Sequence, residues 1–150
     1  MMILVLLGTS RVQQQAIVDA LTFSDEMKGF SVRHIDNGSD ICDADKKHSN
    51  LNRALLGRNY RDTVTVITGV STVQEYNYLS QYRAVFCLLP GILPRMLGSG
   101  EVPITNDFLY VALAPQKMAT LQQRRVYISP IEAFSECYQR ERQNVSRGGR

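Results

Sequence analysis

The stretch MILVLLGTSRVQQQAIVDAL, residues 2–21, decides the class of fold. It begins with an unbroken apolar run that ends at Gly8, which is typical of a strand buried on both faces of a parallel sheet. From Arg11 onward the apolar residues recur at helical spacing, and Thr9 or Ser10 can cap that helix. The N-terminal stretch therefore predicts a strand, a glycine turn and a helix.

Strand-like and helix-like patterns continue to alternate along the chain. Further strands are predicted at residues 30–35, 63–68, 84–89 and 126–129. Helices are predicted at 51–56 with a stop at Gly57, through Tyr76 and Leu79 after a capping box of Thr72 and Glu75, at 118–125, and from Pro130 after a capping box of Ser129 and Glu132. Residues 38–48 and 90–107 are interpreted as loops, and residues 107–114 as either a strand or a short helix.

This alternation predicts an α/β fold in three layers, with a mostly parallel sheet and helices on both faces. One domain is expected over residues 1–143, followed by a disordered basic tail at residues 144–150. In such folds, ligands bind beyond the carboxyl ends of the strands. The turns expected to meet there are residues 8–10, 36–38, 68–71 and 90–91.

The composition sets loose limits on location and partners. The net charge of +3 permits an anionic partner such as a nucleotide without requiring one. Three cysteines without a C-x-x-C pair indicate reduced, buried thiols in a cytoplasmic setting. The N-terminal apolar run is too short to span a membrane and lacks the features of a signal peptide. We therefore expect a cytoplasmic protein with no membrane partner, and the oligomeric state stays open.

The first turn raises the question of a phosphate site. A phosphate loop reads Gly-x-x-x-x-Gly-Lys-[Ser/Thr], and in register with Gly8 its last three positions fall on Gln13, Gln14 and Gln15. Glutamine carries no charge, whereas Arg11 can grip a phosphate through its guanidinium. The start of a helix also favours an anion. A residual phosphate site and an ordinary strand–turn–helix therefore both remain open.

Other site chemistries find less support. The Gly-x-Gly-x-x-Gly motif of dinucleotide binding is absent, although Asp36 stands where a ribose-binding acid would sit. His34 and His48 have no Cys or Glu at metal-ligand spacing, so no metal is predicted. Ser10 and Ser71 lack the Gly-x-Ser-x-Gly context of a nucleophile, so no catalytic residue is assigned.

Two segments carry a resemblance to a known family. MMILVLLGTSRVQQQAIVDAL, together with VTVITGVSTVQEYNYLSQYRAVFCLLPG, resembles the deoxynucleoside monophosphate kinases of bacteriophages, a P-loop family. Residues 63–90 follow the order of strand, helix with an early acid, strand and proline, and Glu75 matches that acid. The segment ITNDFLYVAL is similar to the Asn-Asp segment that leads to the last helix of that family.

The chain departs from this family at the positions that carry chemistry. Gln14 stands for the lysine, Gln15 for the hydroxyl residue, Thr68 for the acid and Ser71 for the arginine. The resemblance thus implies a kinase-like fold with a degraded catalytic site. The chain is also short for the family, which implies a missing lid or substrate segment.

A second resemblance competes with the first. ILVLLGTS followed by a helix, and ITGVST after a later strand, are similar to the nucleotide-sensing Rossmann-like domains of CRISPR-associated proteins. In that family, Gly-Thr-Ser and Gly-Thr-Lys turns line a pocket for cyclic oligonucleotides. The second turn of this chain, at residues 69–72, contains no lysine.

These observations lead to one functional hypothesis and several rivals. The hypothesis is a non-catalytic, kinase-like protein, such as a phage accessory or inhibitory protein, that binds a nucleotide or another anion weakly or acts through a protein partner. It requires that no lysine from elsewhere in the chain enters the cleft. The expected binding residues are Gly8, Thr9, Ser10, Arg11, Asp36, Ser71 and Thr72.

The rivals differ in class. One is a protein-interaction module without a small ligand, using the 90–107 loop, the tyrosines of the 72–82 region and the basic tail. Another is an active kinase that uses Arg11 in place of lysine, and a third is a cyclic-nucleotide sensor. The tail arginines, Arg140, Arg142, Arg147 and Arg150, fit a solvated helix end better than a nucleic-acid contact.

Overall fold

Five parallel strands form one sheet in the computed structural model, which describes residues 1–38, 44–56 and 61–148. The strands are β1 (Met2–Leu7), β2 (Ser31–Asp36), β3 (Thr63–Thr68), β4 (Val85–Leu88) and β5 (Leu109–Tyr110). The helices are α1 (Arg11–Thr22), α2 (Ala44–Leu55), α3 (Val73–Gln81), α4 (Arg95–Gly98), α5 (Leu121–Val126) and α6 (Pro130–Gly148), with 3₁₀ turns at Asp25–Met27 and Pro115–Lys117. The predicted α/β class and the mostly parallel sheet are confirmed.

The strand order is β2-β3-β1-β4-β5, with β1 in the centre. All six residues of β1 are buried, which agrees with the unbroken apolar run that predicted it. From β1 the chain passes to the edge strand β2, whereas from β3 it passes the other way, across β1, to β4. The order reverses between β1 and β3, so their carboxyl ends border the crevice where ligands bind in open α/β sheets.

Helices cover both faces of the sheet. Because successive strand residues point to opposite faces, Leu4 and Leu6 of β1 pack with α1 and α6 on one side. Val5 and Leu7 pack with α2, α3 and α4 on the other side. β1 is packed between these two apolar layers, and this packing positions the turn that follows it.

Two predicted loops contain helical residues. Helix α2 begins at Ala44, inside the segment 38–48 that was predicted to be a loop, while the predicted stop at Gly57 lies outside the described residues. Within the 90–107 loop, the chain forms the short helix α4 against the sheet. Its Met96 and Leu97 are buried, and this burial offsets the glycine and proline content that predicted an irregular stretch.

The C-terminal third departs further from the sequence prediction. The predicted 118–125 helix begins later, at Leu121, because Thr120 caps it through a box with Gln123. The prediction of a strand at 126–129 is wrong: Val126 ends α5, and Ile128 makes an isolated parallel bridge with Val111. The ambiguous segment 107–114 contains the two-residue strand β5.

Helix α6 confirms the second capping box and is longer than expected. The Glu132 amide donates to Ser129 Oγ at 3.2 Å, and the Ser129 amide donates to Glu132 Oε1 at 3.1 Å. The helix continues to Gly148, through residues 144–148 where a disordered tail was expected.

Candidate functional site

A cleft of about 960 Å³ opens at the carboxyl ends of β1, β3 and β4. It is bounded by the turns at residues 8–11, 69–72 and 91–94. Six of the seven predicted binding residues line it, and the seventh, Asp36, pairs with Arg11 at its border. The predicted residues that line the cleft are Gly8, Thr9, Ser10, Arg11, Ser71 and Thr72.

The turns after β2 and β3 cross at two glycines. A Cβ atom built on Gly69 would lie 2.2 Å from the Gly38 nitrogen, and one built on Gly38 would lie 2.6 Å from the Gly69 Cα. Gly69 also has a φ of +78°, which L side chains rarely adopt. Both positions therefore require glycine, and their contact fixes one wall of the cleft.

The turn after β1 is held in an unusual conformation. Gly8 has a φ of +89°, and Thr9 follows with a φ of +58°, a value that is rare for a β-branched residue. The Thr9 amide donates to the Ile92 carbonyl at 2.9 Å, and Thr9 Oγ1 donates to Gln13 Oε1. Strain of this kind costs about 1–3 kcal/mol and clusters at ligand sites. The loop after β4 therefore fixes the turn that a phosphate would approach.

Gln14 connects the turns that follow β1 and β3. Its side chain is buried, with 7% of the residue exposed. Nε2 donates to the Gly8 carbonyl at 2.8 Å, and Oε1 accepts from the Gly69 amide at 3.2 Å. The position that aligns with a phosphate-loop lysine thus bridges two turns. The sequence marks this position by its register with a phosphate loop but carries no signal of the bridging contact.

The N-terminus of α1 borders the cleft. Ser10 caps the helix, and its Oγ accepts from the Gln13 amide at 3.3 Å. The first amides of a helix have no acceptor within the helix, which leaves those of Arg11 and Val12 to other partners. The Arg11 side chain is 59% exposed and forms an ion pair with Asp36, which is 36% exposed. Asp36 therefore serves as the counter-charge of the one arginine that lines the described part of the cleft.

A lysine from elsewhere in the chain also enters the cleft. Lys47 lies on α2, and its side chain is only 5% exposed. Its Nζ donates to the Gly69 carbonyl at 2.8 Å and to Ser71 Oγ at 2.6 Å, and it lies 3.2 Å from Glu75 Oε1. The prediction that no lysine enters the cleft is therefore wrong. Lys47 falls within the segment 38–48 that the sequence analysis interprets as a loop, but it lies on α2 and continues the buried stripe of Leu51 and Leu55 at intervals of four residues.

Glu75 organises the polar contacts around Lys47. The glutamate is fully buried, and its Oε1 accepts from the Ser71 amide at 3.2 Å and from the Thr72 amide at 3.1 Å, which confirms the predicted capping box. Asn37 Nδ2 donates to Glu75 Oε2 and to the Lys47 carbonyl at 3.2 Å. The network joins α2, α3 and the turns after β2 and β3. Its lysine and glutamate charges balance each other.

Among the described residues, the remaining reactive groups form no second centre. His34 Nε2 lies 2.9 Å from Thr68 Oγ1, and across the described ranges no three His, Cys, Asp or Glu side chains are grouped to hold a metal. Burial raises the pKa of the Cys87 thiol and raises that of Cys137 to about 12. These thiols are therefore protonated and unreactive, while Cys42 lies outside the described residues.

The tyrosines of the 72–82 region pack within or against the apolar core. Tyr78 is buried, and Tyr76 and Tyr82 are half-buried against the same apolar layer. Tyr76 packs on Phe86, with ring centroids 4.6 Å apart. Tyr78 is therefore part of the core, while Tyr76 and Tyr82 pack against it and stay partly exposed.

Comparison with known proteins identifies no relative: no protein-family model, curated protein or solved structure matches the chain. The kinase-like and Rossmann-like resemblances therefore stay predictions. Within the part of the chain that is described, no helix combines the length and apolarity needed to cross a membrane.

Proposed function

We propose that this chain binds a phosphate-bearing ligand, such as a nucleotide, at the carboxyl edge of its sheet and transfers no phosphoryl group. The observation that carries the proposal is the exposed Arg11 guanidinium on the first turn of α1, at the border of a cleft formed where the strand order reverses. A guanidinium and free helix amides suit a phosphate. On the basis of the sequence alone, we extend the proposal to a kinase-like ancestry, a phage accessory or inhibitory role and a cytoplasmic location.

Because Lys47 lies in the cleft, the three glutamines alone do not exclude phosphoryl transfer, and the contacts of Lys47 indicate its role. Phosphoryl transfer relies on positive charge placed at the transferring group. The ammonium of Lys47 has three acceptors within the protein, one of them the buried carboxylate of Glu75. A lysine held in this way supports a structural role.

Thermal unfolding with and without ligand tests the binding. At a tenfold excess over its Kd, a ligand stabilises the folded state by about 1.4 kcal/mol, which raises Tm by about 3–6 °C. We expect such a rise with millimolar nucleotide or phosphate, and we expect Arg11→Ala to abolish it. Arg125→Ala, an exposed arginine on α5, is the matched control and should retain the rise. No stabilisation by any nucleotide or by phosphate contradicts the proposal.

A coupled assay for phosphoryl transfer tests the absence of catalysis. We expect no turnover with any pair of nucleoside triphosphate and monophosphate. Turnover that disappears in Arg11→Ala would establish the rival of an active kinase. Turnover that disappears in Lys47→Met, in a variant that still folds, would show that the buried lysine is catalytic. Cyclic oligonucleotides belong in the binding screen, because a Tm rise confined to them favours the sensor alternative.

The interaction-module rival is favoured by one observation, the exposure of α5. Every residue of this helix is exposed, including the apolar Leu121 and Val126. A six-residue helix is not stable in water on its own. Contact with a partner protein would therefore stabilise α5 beyond what its capping box provides. Absence of any nucleotide effect, together with self-association or partner binding lost in Leu121→Ser, would favour this rival.

A further inference from the structure

We infer that the ligand of this cleft is a phosphate mono- or diester of low charge with an apolar or aromatic body, and that the site discriminates against triphosphates. This inference rests on the proposed function and names the class of ligand. Three observations carry it: the charge balance of the cleft, its apolar wall and its volume.

The charges at the cleft cancel in pairs. Arg11 and Lys47 are the charged residues among the described residues that line it. Each has a carboxylate partner, Asp36 for Arg11 and Glu75 for Lys47. The N-terminus of α1 adds a partial positive charge of about half a unit. A ligand with one or two negative charges suits such a site, whereas each further phosphate would meet no additional positive charge among the described residues that line the cleft.

One wall of the cleft is apolar and exposed. The loop after β4 places Ile92, Leu93 and Pro94 at the cleft, and Ile92 is 85% exposed. The carbonyl of Ile92 accepts from the Thr9 amide at 2.9 Å, so this residue is fixed beside the turn that a phosphate would approach. Covering a large exposed apolar side chain with a ligand removes apolar surface from water, which favours binding. The arrangement suits a ligand whose phosphate lies near Arg11 and whose body covers Ile92.

The size of the cleft agrees with a ligand that has a body. Its volume of about 960 Å³ lies at the upper end of the range for drug-sized ligands, about 300–1,000 Å³. Inorganic phosphate alone would leave most of it filled with water. A phosphate ester of nucleotide size would use both the polar turn and the apolar wall.

Calorimetric titrations of the full chain with two sets of probes test the inference. The first set is AMP, ADP and ATP in EDTA at constant ionic strength, in which the body is constant and the charge increases. We expect AMP to bind about tenfold more tightly than ATP, because the additional negative charge of ATP has no positive partner in the cleft. The second set is inorganic phosphate, phenyl phosphate and AMP, in which a phosphate is constant and the body grows. We expect each ester to bind about tenfold more tightly than inorganic phosphate.

Three variants assign the effects to residues. Ile92→Ser should weaken phenyl phosphate and AMP about tenfold and leave inorganic phosphate unchanged. Ile104→Ser is the matched control, because Ile104 is also exposed but is not among the residues lining the cleft. Asp36→Asn leaves Arg11 without its counter-charge and should strengthen ATP more than AMP. Circular dichroism and thermal unfolding confirm that each variant folds.

The outcomes separate this inference from the proposed function. Tightest binding by ATP, or equal loss in Ile92→Ser and Ile104→Ser, overturns the inference while phosphate binding itself stands. Inorganic phosphate binding as tightly as AMP overturns it as well. If no probe in either set binds, the proposed function fails and the inference fails with it.

Discussion

Gly69 meets Gly38 backbone to backbone where the turns after β3 and β2 cross. Because a Cβ on Gly69 would lie 2.2 Å from the Gly38 nitrogen, Gly69→Ala requires one of the turns to move. We expect a loss of about 3 kcal/mol or more in the free energy of unfolding, from the clash together with the positive φ. Gly100→Ala is the control, since Gly100 has a φ of +81° and no atom near its Cβ position.

Urea unfolding of the two variants separates clash from backbone strain. Gly100→Ala should lose only the cost of the positive φ, about 1–2 kcal/mol. Equal losses in the two variants would show that the turns at Gly38 and Gly69 have room to separate, and that the wall of the cleft is not fixed by their contact.

Gln14 is expected to be the most important of the three consecutive glutamines for stability. Gln14→Leu removes the acceptor of the Gly69 amide and the donor to the Gly8 carbonyl, and it leaves these groups without their side-chain partner. An unsatisfied buried group such as the Gly8 carbonyl costs about 1–3 kcal/mol, and the partly buried Gly69 amide costs less, so we expect a loss of about 2–4 kcal/mol. Gln15→Ala, which removes an exposed bond to Asp19, should cost less than about 0.5 kcal/mol. Chemical denaturation measures both, and a Gln14 loss as small as that of Gln15 contradicts the bridge.

The local parts of this fold could be predicted from sequence, and the reason is visible at particular residues. The strand at 63–68 and the capping box of Thr72 and Glu75 are confirmed, because β-branched composition and capping are properties of residues a few positions apart. The turns predicted to meet at one edge of the sheet do border a common cleft, since a parallel sheet brings the carboxyl ends of its strands together.

The contacts inside the cleft could not be predicted in the same way. Lys47 is buried because Glu75, on another helix, provides its counter-charge, and no local pattern records that partner. The strand order could not be predicted either, because an alternation of strands and helices is compatible with several orders. At 126–129, β-branched and aromatic residues favoured a strand, but the Thr120 capping box extends a helix to Val126.

The Lys47–Glu75 pair is expected to be strongly coupled. Removal of either partner leaves a buried charge, so Lys47→Met and Glu75→Gln should each destabilise by about 3–5 kcal/mol. The double variant should lose less than the sum of the two, with an interaction free energy above about 1 kcal/mol. The partly exposed i,i+4 pair of Arg140 and Glu136 on α6 is the control, for which we expect about 0.3–0.5 kcal/mol. Additive losses at Lys47 and Glu75 would show that the pair does not act as a unit.

The two buried thiols should make the protein less stable at high pH. Burial raises the pKa of Cys137 to about 12 and also raises that of Cys87, so the folded state keeps both protonated while unfolded thiols ionise near pH 8.5. The unfolded state then binds fewer protons, and the free energy of unfolding should fall by up to about 1.4 kcal/mol per pH unit for each thiol above that pH. Below it, the contribution is fully present. Urea unfolding from pH 8 to 10.5 measures the slope, and the stability of Cys137→Ala should fall less steeply than that of the parent.

In a Cys42→Ser background, a thiol-specific disulfide reagent should label neither Cys87 nor Cys137 until the protein is unfolded. Rapid labelling of the folded protein, or an unchanged slope in Cys137→Ala, contradicts their burial.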